Sequence, residues 1–215
     1  MAAIGQSSPG RPTRSAPNDR TNALTLTEAP TLETRRLRLR PHRAEDFEAY
    51  AAMWAAPEVV RFIGGEPISR EAAWTRFLRH IGIWRYFGFG FFALEDRASG
   101  AFVGEAGFHD LRRMVDPSNE GTMEAGWVLV PAMHGRGLAE EAMRAAIAWA
   151  DRAHPAPRMT CIIQVGHAAS LRVAAKLGFT PYAETTYHGD PVTMLERPRP
   201  APPYASPKPS TSAIE

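Results

Sequence analysis

The chain has 215 residues, 44% hydrophobic and 22% charged, with a formal net charge of +2, which is enough sequence for one domain with a real core. No apolar run reaches bilayer length, and the N-terminus lacks the basic-then-apolar pattern of a secretory signal, so neither a span nor secretion is expected. The single cysteine, Cys161, excludes an internal disulfide and a cysteine-based metal site. Flanked by Met159, Ile162 and Ile163 it reads as a core strand residue, and the cytoplasm is the expected location.

Residues 1–30 and 198–215 are expected to be tails, because ten of the nineteen prolines lie there among many Ser, Thr and Ala. Such sequence buries too little apolar surface to offset the entropy of ordering it. The remainder, 31–197, holds twenty basic and twenty acidic residues, so it advertises no basic groove for nucleic acid.

Within 31–197, Arg36 to Arg40 alternates Arg and Leu, a half-buried strand that ends at Pro41. Glu45 to Ala55 reads as helix, as does Arg70 to Tyr86, where Ala73, Phe77, Ile81 and Trp84 share a face. Gly90 to Glu95 and Ala101 to Phe108 are apolar strands joined by the turn sequence 96–100. A strand from Met123 to Val130 follows. Gly137 to Arg152 is the strongest helix, with Leu138, Ala142, Ala145, Ala146 and Trp149 as its stripe and Glu140 and Arg144 as an i,i+4 pair. A strand (Arg158 to Gln164), a short helix (Ala168 to Leu177) and two strands turning at His188-Gly189-Asp190 complete the order.

One unit stands out chemically. Glu124 to Val130 leads through Pro131-Ala132-Met133 into His134-Gly135-Arg136-Gly137-Leu138-Ala139 and then directly into the strong helix. Glycines let backbone approach a ligand, and a helix N-terminus adds unpaired N–H donors and a partial positive charge. Such a loop suits a pyrophosphate, with Arg136 as a further charge; a plain tight turn into a helix is the alternative reading. The Lys-Ser/Thr ending of a nucleoside-triphosphate loop is missing.

The loop resembles the coenzyme A pyrophosphate loop of the GCN5-related N-acetyltransferases (the GNAT family), written Gln/Arg-x-x-Gly-x-Gly/Ala. Gly137 and Ala139 fill its fourth and sixth positions, and His134 replaces the leading Gln/Arg. Leu32 to Arg40 resembles the opening strand of the branch that acetylates ribosomal-protein N-termini, and Ala169 to Phe179 resembles its late helix and turn. The three segments keep family order, so the resemblance spans 31–197.

The resemblance implies a mixed α/β fold: a mostly antiparallel twisted sheet of six to seven strands, about four flanking helices, and two central strands that splay. It implies acetyl-CoA as co-substrate, held by Val128, Val130, His134, Gly135, Arg136, Gly137, Leu138, Ala139, His167 and Arg172, with backbone N–H groups near Val128 at the oxyanion. Lys176, four residues after Arg172, is a further candidate for the phosphates. No covalent intermediate and no metal are implied. Glu124 stands where the histone-acetylating branch carries its base; Glu105 and His109 are the other candidates. The tyrosine that many members use as acid corresponds to Ala174, leaving Ser170 as acid or merely as the start of a helix, and His167 stands where the family usually has Asn. The acceptor is an amine, on a protein N-terminus or a small molecule; a non-catalytic acyl-CoA-binding module is the alternative. Exposed edges of the last strands permit a homodimer.

Overall fold

The computed structural model describes residues 29–154 and 158–198. The expected tails therefore lie almost wholly outside the described residues. Eight strands form one sheet: β1 (Leu32–Glu33), β2 (Leu37–Arg40), β3 (Phe91–Asp96), β4 (Phe102–His109), β5 (Met123–Leu129), β6 (Arg158–Gln164), β7 (Thr180–Tyr187) and β8 (Asp190–Pro198). Their spatial order is β1-β2-β3-β4-β5-β6-β8-β7, and only β5 and β6 run parallel. Five α-helices accompany them: α1 (Phe47–Trp54), α2 (Pro57–Val60), α3 (Arg70–Phe87), α4 (Leu138–Ala153) and α5 (Ala168–Lys176).

The sheet thus has one or two strands more than the resemblance implies. The two-residue β1 is too short to show a period, and the four-residue α2 escapes for the same reason. Elsewhere local chemistry sets the boundaries. Ser69 caps α3 by accepting the Ala72 N–H at 3.1 Å, and Gly88 ends it in the left-handed region at φ 71°. His188 and Gly189, at φ 53° and 90°, form the two-residue turn that joins β7 to β8.

Two apolar clusters pack on the sheet. One joins α4 and α5 to it through Leu138, Ala142, Met143, Ala146 and Ala174. Complete burial of a side chain such as Leu138 or Met143 contributes about 1.5–3 kcal/mol. The other gathers Phe47, Tyr50, Trp54, Val60, Ala73 and Phe77 from α1, α2 and α3. Here the expected stripe of α3 needs correction. Ile81 is 65% exposed, and the buried line runs Ala73, Phe77, His80, Trp84. The polar His80 occupies the middle of that line because it meets a buried carboxylate, and Ile81 is turned to the flank.

Candidate functional site

The parallel pair β5 and β6 is joined only at Met123–Met159 and Glu124–Thr160, and a contact of 2.7 Å between the Thr122 and Thr160 hydroxyls fastens the closed end. Beyond it β6 continues to pair with β8, whereas Ala125 to Leu129 pair only with β4. The two central strands therefore splay, as expected, and a cavity of about 350 Å³ lies along the gap. Val130 donates its N–H to Val103 O at 3.0 Å. By strand alternation the N–H groups of Val128 and Gly126 also face β4, and those of Ala125, Trp127 and Leu129 turn to the gap. The donors expected near Val128 are thus displaced by one residue, and Val130, which also accepts from Met133 N–H, has both backbone groups engaged.

The loop after β5 is held from both sides. His134 donates from Nε2 to Leu129 O at 2.9 Å, and Arg36 donates from Nη1 to Arg136 O at 2.9 Å. Glu141 fixes Arg36 in turn, through its backbone N–H at 2.8 Å and its Nε at 2.6 Å. Gly135 and Gly137 adopt φ of 70° and 72°, conformations open to glycine but strained for other residues. No side chain caps α4, and its first backbone bond runs from Glu141 N–H to Gly137 O. The N–H groups of Leu138, Ala139 and Glu140 are left for a ligand, and the helix dipole favours an anion there. Arg136 is exposed beside this end, and Arg172 is exposed on α5 with no hydrogen bond or ion pair among the described residues. Lys176 by contrast reaches Glu140 at 3.1 Å.

At the other end of the cavity Glu124 is buried and saturated. His109 Nε2 lies 2.9 Å from Oε1, Arg113 Nε donates to both oxygens at 2.8 Å, and Asn119 Nδ2 donates to Oε2 at 2.9 Å. Burial acts to raise the Glu124 pKa, but His109 and Arg113 outweigh it and hold the carboxyl at about 2. Burial keeps the His109 pKa below that of an ordinary imidazole despite Glu124. With Nε2–H donated to the carboxylate, Nδ1 is the nitrogen left able to accept a proton. The His109 ring lies flat against Phe91 at 5.1 Å. Gly126 makes room for that floor, since a Cβ there would stand 2.7 Å from Phe91 Cζ.

Glu105 is placed elsewhere. It is 1% exposed, with His80 Nε2 at 2.8 Å and His42 Nε2 at 3.5 Å, and it is not among the residues lining the cavity. Burial opposes its ionisation, but the two imidazoles beside it hold its pKa below the usual carboxylate range. His42, His80 and Glu105 bring ligand atoms within 4.8 Å of one another. The two rings are nevertheless stacked in parallel, 4.3 Å apart with 1° between planes, so no ion can lie in the plane of both imidazoles. The trio is a buried carboxylate–imidazole contact under α3.

Ser170 and His167 line the cavity from α5 and the residue that precedes it. Ser170 is the third residue of α5 and does not cap it; His167 holds the capping position and stacks on Phe62 at 4.4 Å. Burial and the neighbouring His134 lower the His167 pKa. Ala174, which corresponds to the family's tyrosine, is wholly buried. Residues that the sequence pattern did not single out complete the lining: Arg76 and Arg79 from α3, Arg113 and Tyr187. None belongs to a local motif. Asn119 and Arg113 reach Glu124 across a loop, and only the fold brings them together.

The family model of the acetyltransferase (GNAT) domain matches residues 36–180. A structure from Bordetella pertussis assigned to GnaT-family acetyltransferases is 35% identical, with a TM-score of 0.70 over 79% of this chain and 99% of that one. An acetyltransferase from Agrobacterium tumefaciens is 30% identical, with a TM-score of 0.66 over 78% of this chain and 94% of its own. RimL, the ribosomal L7/L12 alpha-N-protein acetyltransferase, solved with coenzyme A, shares the fold at 16% identity, with a TM-score of 0.64 over 79% of this chain and 98% of that one.

Proposed function

The chain belongs to the GNAT acetyltransferase family and is an N-acetyltransferase that uses acetyl-CoA; we propose that the transfer takes place in the cavity between β5 and β6, by direct attack of an amine on the thioester. The observation that carries this reading is the splayed gap: an unpaired β5 edge that runs straight into an uncapped helix N-terminus. The free N–H groups of Gly137, Leu138, Ala139 and Glu140 hold the pyrophosphate, with Arg136 and Arg172 supplying outer charge. The pantetheine lies along β5 and pairs with the backbone that faces the gap. His134 acts through the loop by tying it to Leu129, and His167 and Ser170 lie beside the thioester end of the channel.

In the chemical step the amine nitrogen bonds to the acetyl carbon, the C–S bond breaks and the thiolate leaves. The N–H group of Trp127, a residue that lines the cavity, receives the oxyanion. His109 Nδ1 takes the ammonium proton; Glu124 is too acidic for that task, and it positions the imidazole and stabilises its cation. The nitrogen sheds its second proton as the amide forms, and Ser170, or water held beside it, relays a proton to the thiolate. The acceptor is a protein N-terminus or a small amine. RimL acts on a ribosomal protein, and a more distant fold relative from Vibrio cholerae is a spermidine N-acetyltransferase. No helix among the described residues is long and apolar enough to cross a membrane. β7 is a sheet edge on which a second copy can pair.

Calorimetric titration of the full chain with acetyl-CoA and with coenzyme A tests the reading. Saturable one-site binding is expected, abolished in Gly137→Glu, which puts a strained carboxylate in the anion cradle. A folded protein that binds neither ligand would overturn it.

A further inference from the structure

Two arginines face the cavity without an ion-paired carboxylate among the described residues. Arg76 and Arg79 stand one turn apart on α3, and both line the cavity wall. Neither forms an ion pair, whereas Arg36, Arg38, Arg40, Arg113, Arg144 and Arg197 each hold a carboxylate. The Arg76 guanidinium is laid 3.8 Å over the Trp54 ring, and its buried Nε has no hydrogen-bond partner. Arg79 opens to the cleft and makes no hydrogen bond. Burial and the like charge of Arg76 lower its pKa, an effect that Tyr50 and the buried Glu105, outside the cavity, offset only in part. Like charges one turn apart repel, and each is most stable with an anion between them.

The cavity offers no such anion of its own. Its lining acids are Glu124 and Asp190. Glu124 is already saturated by Arg113, His109 and Asn119. Asp190 forms no ion pair; it sits at the start of β8 on the opposing hairpin, and it is not among the main charges felt by Arg79. Arg79 also acts electrostatically on His109 and on Arg113, which places it toward the base end, and Arg76 stands one turn from it on α3.

We propose that Arg76 and Arg79 form an anion subsite, and that the acceptor is a small amine carrying a carboxylate or phosphate a few bonds from the nitrogen. This rests on the acetyltransferase reading. With its anion on the arginines, such an acceptor presents its amine toward His109. The cavity of about 350 Å³ must also admit the donor's pantetheine arm, which favours a small molecule over a folded partner's N-terminus. A polyamine meets like charge at the same place.

The full-length protein with acetyl-CoA is assayed by thiol release on matched acceptors. These are amino acids against their carboxamides, β-alanine against aminoethylphosphonate, spermidine, and a short neutral peptide. Anionic amines should exceed their neutral partners in kcat/KM by at least about ten-fold, as charge-assisted hydrogen bonds imply. The preference should collapse through acceptor KM in R76Q/R79Q and diminish in R79Q, with acetyl-CoA affinity unchanged by calorimetry. The carboxylate–phosphonate pair decides which anion is taken. Equal use of carboxamides, a preference for spermidine or the neutral peptide, or full discrimination in the double variant would overturn the proposal. If no panel member turns over, inorganic phosphate or succinate must raise the Tm of the coenzyme A-saturated protein, and must not do so in R76Q/R79Q. Absence of that shift also overturns it. Failure of the acetyltransferase reading is distinguished by absent acetyl-CoA binding.

Discussion

Two buried glutamates sit on neighbouring strands, and each meets an imidazole at nearly the same distance: Glu105 with His80 at 2.8 Å, Glu124 with His109 at 2.9 Å. Register puts them on one face of the sheet, since Glu105 and His109 are four residues apart on β4 and His109 stands opposite Glu124 on β5. Both carboxyls are held acidic. They differ in what covers them. Glu105 is roofed by α1 and α3, with Tyr50 and Phe77 around its two histidines. Glu124 and His109 lie toward the end of the strands, on the cavity wall. The same pair of groups is structural under a helix and chemically available on the wall of a cavity. Residue type and even pKa direction do not separate them; access does.

The largest expected effect concerns the open pair. His109→Ala should lower kcat by about 10²–10⁴-fold, the range for loss of a general base, with little change in acetyl-CoA affinity by calorimetry. Glu105→Gln should do the reverse. Breaking a buried charged contact costs about 3–5 kcal/mol, read as a lower urea midpoint, while kcat per folded molecule stays near the wild-type value.

The acid limb of stability gives a smaller and complementary signal. The Glu124 carboxyl ordinarily titrates near 4.5 and is held at about 2 in the fold. Its contribution is therefore complete above pH 4.5 and is lost as pH falls from there toward 2, on the order of 3 kcal/mol in all. Urea midpoints measured down that range should show a shallower loss in Glu124→Gln. Smallest are the two cations of α5. Arg172→Ala should raise the acetyl-CoA Kd by about two- to five-fold. Lys176→Ala should stay within about two-fold, because Lys176 already holds Glu140.

Much of the frame was legible in the sequence. The 3.6-residue stripe of α4, the turn at His188-Gly189 and the glycine loop are local patterns, and each lies where those patterns put it. Elements too short to carry a period, β1 and α2, were not legible. The face of α3 was misread at Ile81 because a buried histidine does not look apolar. In the candidate site, the residue types Glu124, His109 and Glu105 could be named from the chain, but their standing could not. Arg113 and Asn119, which saturate Glu124, come from an irregular loop, and the His42–His80 stack that encloses Glu105 joins residues 38 positions apart. Backbone direction was equally hidden: whether Val128 or Trp127 turns its N–H to the gap depends on a register set by β4.

The most direct test is the pH dependence of kcat for the wild-type chain, His109→Ala and Glu105→Gln, at saturating acetyl-CoA and acceptor. Burial lowers the His109 pKa, so the imidazole is a neutral base above it, and activity falls as pH drops through it. The wild type should show an acid limb with a midpoint below about 6.5, retained in Glu105→Gln and absent from the residual activity of His109→Ala. An acid limb that survives in His109→Ala, or one that moves with Glu105 in a folded protein, would contradict the assignment of chemistry to the open pair.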